Sequence, residues 1–368
     1  SISPLFSSIT VIGGLAALAV SLGSKITSPE YAILGGQVLA IGTLTGAILQ
    51  WLVQIIAQWR SGLGTLRLRF DFQNPGVKEV LRIMAPATFS SGMLHINVYT
   101  DLFFASFIPN AAASLSYAGL LVQTPLGIIS NVLLVPFLPI FSRLADPQDW
   151  PELKQRIRQA LILTALTMLP LGAIMVSLAM PIVQVVYQRG AFDKQASQLV
   201  ASLLVVYGMG MFFYLGRDVL VRVFYALGDG DTPFRISVFN IILNALLDFI
   251  FFKPLGAPGL VLATMGVNIT SMIFLTWRLH QKLNGLPMKK WLLKIGALAG
   301  ASAFTGVVSW STNWGLQRVL RSENLLIELL ELAIASLAGL ALFAFFAMQL
   351  KLPEVDILVS RIRQKFVS

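Results

Sequence analysis

The sequence predicts an all-α polytopic membrane protein with ten transmembrane helices, and three observations predict it. First, only 12% of the 368 residues are charged, 56% are hydrophobic, and the mean hydropathy is +0.77. A soluble domain carries about 25% charged residues. Half that share cannot coat the surface of a water-soluble protein of this size, which excludes a soluble enzyme. Second, the apolar residues fall into ten runs, each long enough to supply the roughly 20 residues that cross the hydrocarbon core. Third, Lys and Arg alternate between rich and poor connections along the chain. The net charge of +10 lies mostly in those connections, so it is no signal for nucleic acid. Cysteine is absent, which removes disulfides and thiolate metal sites.

The spans follow in order. A (4–24) and B (32–59) carry no charge. C (about 80–108) is interrupted by His95 and Asp101. D (about 111–142) is uncharged, and the turn pair Pro109-Asn110 separates it from C as a tight hairpin. E covers about 157–187, F 196–226, G 234–253 and H 256–278. I covers about 291–312 and J about 325–350. Pro125, Pro136 and Pro139 all fall in D, which makes D a candidate for a moving or cavity-lining element. Pro170 and Pro181 fall in E. Segment 149–158 reads as a short interfacial helix, with Asp149 as N-cap and Pro151 in its first turn. Gly208 and Gly210 lack the third glycine and the strand of a dinucleotide motif, so they read as close helix packing.

Orientation comes from the basic residues. Nineteen of the 27 lie in the connections B–C, D–E, F–G and H–I and after J, six lie on the other side, and Arg217 and Arg222 lie inside F. The positive-inside bias puts the rich side, and both ends of this chain, in the cytoplasm.

Acidic groups inside a span are costly and mark candidate sites. Asp101 lies in C and Asp248 in G. Asn244 is four residues before Asp248 and shares its face. G and H are antiparallel neighbours across a short connection, which brings Thr264 to the depth of Asp248. Two carboxylates, an amide and a hydroxyl form the oxygen-rich shell that a hard cation such as sodium prefers, or a carboxylate that exchanges protons. The other reading is a set of carboxyls satisfied by interhelical hydrogen bonds. Spacing does not say that Asp101 meets G and H. In F, Asp218 and Arg222 are spaced to pair, whereas adjacent Arg217 and Asp218 point about 100° apart and are not expected to pair simply. Arg217 and Arg222 are candidates to bind an anionic headgroup. His95 reads as a packing residue, and His95 and His280 have no metal-ligand spacing. No catalytic triad, phosphate loop or paired acidic motif appears, so an enzyme is not expected.

Three stretches then carry a resemblance. They are Ser116 to Ile128 running on to Pro136–Ser142, then Tyr187-Gln-Arg-Gly-Ala-Phe-Asp193, and Phe224-Tyr-Ala-Leu-Gly-Asp-Gly-Asp-Thr-Pro233 followed by Asn244 and Pro254–Thr264. In order and spacing they resemble the MurJ/MviN family, bacterial lipid II flippases of the multidrug/oligosaccharidyl-lipid/polysaccharide exporter superfamily. The resemblance implies a fourteen-helix fold of two six-helix lobes and a final pair, of which this chain holds helices 5–14. Residues 1–60 would end the first lobe, 61–283 form the second, and 284–368 form the extra pair and tail. Four helices are expected to precede residue 1. The resemblance implies flipping of a polyprenyl-diphosphate-linked precursor across the bacterial cytoplasmic membrane by alternating access, coupled to a cation (Na+ or H+) or to membrane potential. It places a cation site at Asp101, Asn244, Asp248 and Thr264. Lipid II and membrane lipids are the expected partners, with cell-wall synthesis proteins as further candidates and no nucleic acid. Family members often carry Asp-Arg where this chain has Gly119 and Leu120. That departure keeps open an exporter of another polyprenyl-linked glycolipid or a small cation. A membrane scaffold without transport is the alternative of a different class, and it has no need for acidic groups at membrane depth.

Overall fold

The computed structural model describes residues 3–23, 25, 28–60, 78, 96–320, 324–350 and 353–354. The chain divides into two compact units, Ser1–Ile83 and Met84–Ser368.

The first unit is an antiparallel pair, α1 (Ser3–Leu22) and α2 (Ala32–Arg60). Only Gly42 and Gly46 of α2 are buried, one turn apart. A Cβ at Gly42 would sit 3.1 Å from the Val11 Cα, and one at Gly46 would sit 2.5 Å from the Ser7 Cα. This is the small-xxx-small geometry that lets two backbones touch where lipid supplies no hydrophobic drive to pair.

The second unit begins with a helix over 96–105, called α3, of which the earlier part of span C, including His95, lies outside the described residues. Next come α4 (Ala111–Ile129), α5 (Val135–Arg143), α6 (Trp150–Ser177) and α7 (Ala179–Tyr187). They are followed by α8 (Lys194–Ala226), α9 (Asp231–Leu255), α10 (Ala257–Lys282), α11 (Met288–Leu320) and α12 (Leu325–Gln349). Among the described residues all regular structure is helical, and nine helical segments are long and apolar enough to cross a membrane. The tenth expected span is C.

α8 is the hub of the unit. It packs against α4, α5, α6, α7 and α10, and buries Leu203, Leu204, Leu215, Val219 and Leu220 completely. Gly172 of α6 and Gly208 of α8 bring their backbones together, and Gly210 packs on Met265, so this glycine pair serves helix contact. α11 lies along α6, and α12 covers α11 and α7.

Three local expectations need correction. Segment 149–158 is no separate interfacial helix, because α6 starts at Trp150 and runs unbroken into the span. Span E is two helices broken at Leu178, where φ is −112° and ψ 21°. Pro181 has no N–H for the carbonyl four residues back, and its ring collides with the preceding turn. Span D is likewise interrupted, by a π turn at Ser130–Leu134. It comes just before Pro136, and the wider turn makes room for that ring. Asn131 Nδ2 donates to the Gly127 carbonyl at 2.9 Å, closing part of the disturbed ladder.

Candidate functional site

The α9–α10 hairpin builds the site. Gly256 has φ +61° and ψ −143°, a conformation open to glycine and strained for other residues. Pro258 opens α10, and Gly259 lies directly on the Phe251 carbonyl, which draws the helices together. The result is an inside-out helix. The only fully buried residues of α9 are Pro233, Asn240, Asn244 and Asp248, whereas Ile242, Leu246, Phe249 and Ile250 are exposed. In water this arrangement would be untenable. In hydrocarbon the apolar side belongs outside and the polar side must find partners within.

Asp101, Asn244, Asp248 and Thr264 meet at one point. Asn244 Nδ2 donates to Asp101 Oδ1 at 2.9 Å and to Asp248 Oδ2 at 2.7 Å. Thr264 Oγ1 donates to Asp101 Oδ2 at 3.0 Å. Asn244 and Asp248 are 0% exposed, and Asp101 is half-buried. All donors are then spent, yet Asn244 Oδ1 and Asp248 Oδ1 are buried with no hydrogen-bond partner. Leaving a buried acceptor unpaired costs about 1–3 kcal/mol, and more when it is charged. A hard monocation answers both deficits, because it supplies positive charge to two carboxylates and ligation to the orphan oxygens. Among the described residues no group of three or more His, Cys, Asp or Glu side chains gathers to hold a metal, so the set does not suit a transition metal.

A cavity of about 70 Å³ lies beside the cluster, bordered by Gly119 and Gln123 of α4, Tyr207 and Tyr214 of α8, and Thr264 and Asn268 of α10. A water needs roughly 10–15 Å³ of such space, so the cavity has room for several. Gly119, which stands where a larger side chain was expected from the resemblance, leaves this wall open.

The remaining candidates lie apart from the cluster. Arg217 Nη1 is 3.7 Å from Asp218 Oδ1. The expectation that these neighbours do not pair is therefore wrong. A guanidinium on a long flexible stem spans the 100° that separates two adjacent side chains. Arg222, half-buried, stands one turn nearer the α8 C-terminus, and the ion pair that its spacing from Asp218 allowed is not among those of the described residues, since Asp218 pairs with Arg217 instead. His280 Nδ1 accepts from the Leu286 N–H at 2.9 Å, so it closes the α10–α11 turn.

The sequence reading missed four polar residues. Asn240 donates through Nδ2 to Ser271 Oγ, and Asn268 Nδ2 donates to the Thr264 carbonyl at 2.9 Å. Asn97 lies one turn before Asp101 in α3. The signal was present in the 240–244–248 and 97–101 spacings, which put polar side chains on one face at every turn.

Comparison with known proteins agrees with this architecture. A family model described as "Lipid II flippase MurJ" matches residues 1–330. A Synechocystis sp. protein named "Probable lipid II flippase MurJ" is 56% identical over 366 residues, covering 100% of this chain and 69% of that protein. A Vibrio cholerae protein of the same name is 29% identical over 346 residues, covering 89% of this chain and 62% of its own length. The chain thus spans about two thirds of these relatives. A solved structure described as "Lipid II flippase MurJ, inward closed conformation" superposes with a TM-score of 0.74 over 95% of this chain and 68% of that one, at 21% identity, which speaks for the fold alone.

Proposed function

The chain belongs to the MurJ family of lipid II flippases, and on that premise we propose that it forms the larger part of a transporter moving lipid II across the bacterial cytoplasmic membrane. Lipid II carries a charged, bulky headgroup on a polyprenyl tail. Unaided passage of that headgroup through hydrocarbon is prohibitively costly. A protein that alternately opens a polar interior to either side removes the cost while the tail stays in the bilayer. A cation at Asp101, Asn244, Asp248 and Thr264 biases the two states by its differential affinity for them.

One observation supports the coupling reading above the others. The Asp248 carboxylate and the Asn244 amide are buried at membrane depth beside half-buried Asp101, with acceptor oxygens left over, which a passive scaffold has no reason to keep. Arg217 and Arg222 are secondary candidates for headgroup contact. Leu120, where family members often carry Arg, favours a second reading in which the cargo is another polyprenyl-linked glycolipid.

The test is a flipping assay on the full-length protein containing this chain, reconstituted with labelled lipid II with and without a sodium gradient. Expected are flipping in wild type and loss of it, at normal protein yield, in Asp101→Ala and Asp248→Ala. Transport unchanged in both variants refutes the coupling, and transport of a different labelled glycolipid but not lipid II favours the second reading.

A further inference from the structure

The oxygens left without donors are not confined to the four-residue cluster. Asn97 Oδ1, Asn240 Oδ1, Asn244 Oδ1 and Asp248 Oδ1 are all buried without a partner. On α9 they recur at 240, 244 and 248, one turn apart, about 6 Å per step. α3 runs in the same direction as α9. Asp101 meets Asn244, and Phe104, three residues further along α3, meets Phe252, eight residues further along α9, with ring centroids 5.4 Å apart. From the Asp101–Asn244 contact, one turn back along each helix is a rise of about 6 Å, to Asn97 on α3 and to Asn240 on α9. The antiparallel α10 contributes Ser271 at that same level, since its Oγ accepts from Asn240 Nδ2. Asn240 is 2% exposed and Ser271 0% exposed.

We propose that Asn97, Asn240 and Ser271 form a second station for a monovalent cation, through which the ion travels between the Asp101–Asp248 cluster and the Asp231 end of α9. This rests on the reading of the cluster as a cation site and extends it from a point to a path. The chemistry of the two stations differs in the way a path requires. The first holds two carboxylates and retains the ion. The second offers neutral amide and hydroxyl oxygens, enough to replace part of a hydration shell and too weak to trap it. Asn240 turns its amide nitrogen to Ser271 Oγ, which leaves its carbonyl oxygen for the ion. The cavity at Thr264 and Asn268 flanks the step between the stations and supplies water to an ion in transit.

The full chain in liposomes, equilibrated with radioactive sodium and chased with unlabelled sodium, tests the path. Asn240→Leu is expected to slow sodium exchange at least about tenfold, the scale set by removing one oxygen ligand from a desolvated ion. Its equilibrium sodium affinity should stay within about twofold of wild type, a difference well under one decade. Asn240→Ser keeps a neutral oxygen there and should exchange faster than Asn240→Leu, whereas Asn240→Asp adds a charge that holds the ion and should slow its exchange. If Asn240→Leu does not fold, Ser271→Ala carries the same expectation. Wild-type exchange in the folded variant, or a loss of affinity equal to the loss of rate, overturns the second station while the cluster reading stands. The cluster reading itself fails if wild type retains no sodium or if Asp248→Asn retains it equally, and the path falls with it.

Discussion

Replacing Asp248 by Asn isolates the charge at the centre of the cluster while keeping its shape. Asn244 Nδ2 bonds Asp101 Oδ1 at 2.9 Å and Asp248 Oδ2 at 2.7 Å. With about 120° between the two N–H directions, those carboxylate oxygens lie about 5 Å apart. Two unit charges at that distance repel by about 3 kcal/mol at an effective dielectric of about 20. A bound monocation cancels that repulsion in the wild-type protein. Without it, the protein carries the penalty or relieves it by binding a proton at one of the two carboxyls. Two outcomes follow. In sodium-free choline buffer Asp248→Asn should be the more stable protein, by up to about 3 kcal/mol. In sodium the order should reverse or close, because wild type gains about 2.7 kcal/mol at a hundredfold excess over its Kd and the variant gains almost nothing. Thermal unfolding in detergent, followed by intrinsic Trp fluorescence across a sodium titration, reads both. A sodium-dependent rise in Tm of equal size in the variant would falsify the reasoning. So would a wild-type Tm indifferent to sodium.

Other expectations concern the scaffold. Gly46→Leu drives a side chain into the Ser7 backbone and should cost about 1–3 kcal/mol of α1–α2 association, seen as earlier unfolding in an SDS titration. In the α8–α9 connection, burial raises the Asp229 pKa, but hydrogen bonds from Lys282 Nζ at 2.8 Å and from Thr232 outweigh it and hold the carboxyl below its ordinary range. A depressed carboxyl contributes stability above its unfolded pKa of about 3.9 and loses it as pH falls through the folded value. Asp229→Asn should therefore be destabilised at neutral pH, and its deficit against wild type should vanish in unfolding curves taken at successively lower pH below 4. Beyond α12, Glu354 is 3% exposed and pairs with Arg158 at 3.2 Å. Glu354→Ala strands a largely buried guanidinium and should cost about 1.5–3 kcal/mol, whereas Arg158→Met with Glu354→Leu should recover most of it in the same unfolding assay.

Much of the fold was legible because the bilayer imposes so simple a rule. Uncharged runs of about 20 residues have one outcome in hydrocarbon. The polar face of α9 was legible in part, since Asn244 and Asp248 share a spacing that any helix puts on one side. Asn240 and Asn97 obey the same spacing and went unread, because a lone amide in a span is most often a packing residue. The helix breaks were less accessible. Pro181 and Pro136 announced irregularity, but whether a proline kinks a helix, splits it or widens it into a π turn depends on the neighbours that take up the freed carbonyls. The Arg217–Asp218 contact was misjudged because backbone angle alone ignores the reach of a long side chain.

That the chain crosses a membrane, roughly where it crosses, and which few residues are out of place in hydrocarbon can all be read from the order of the amino acids. These follow from local composition and the helical period, which need no knowledge of neighbours. It takes the packing of the helices to bring Asp101 of α3 to Asn244 of α9 and Thr264 of α10, with Asp248 joined through Asn244, across separations of up to 163 positions. That packing alone decided which oxygens would be left without donors. Hydrogen-bond capacity belongs to a residue, but whether it is satisfied belongs to the packing of helices that the chain does not place side by side.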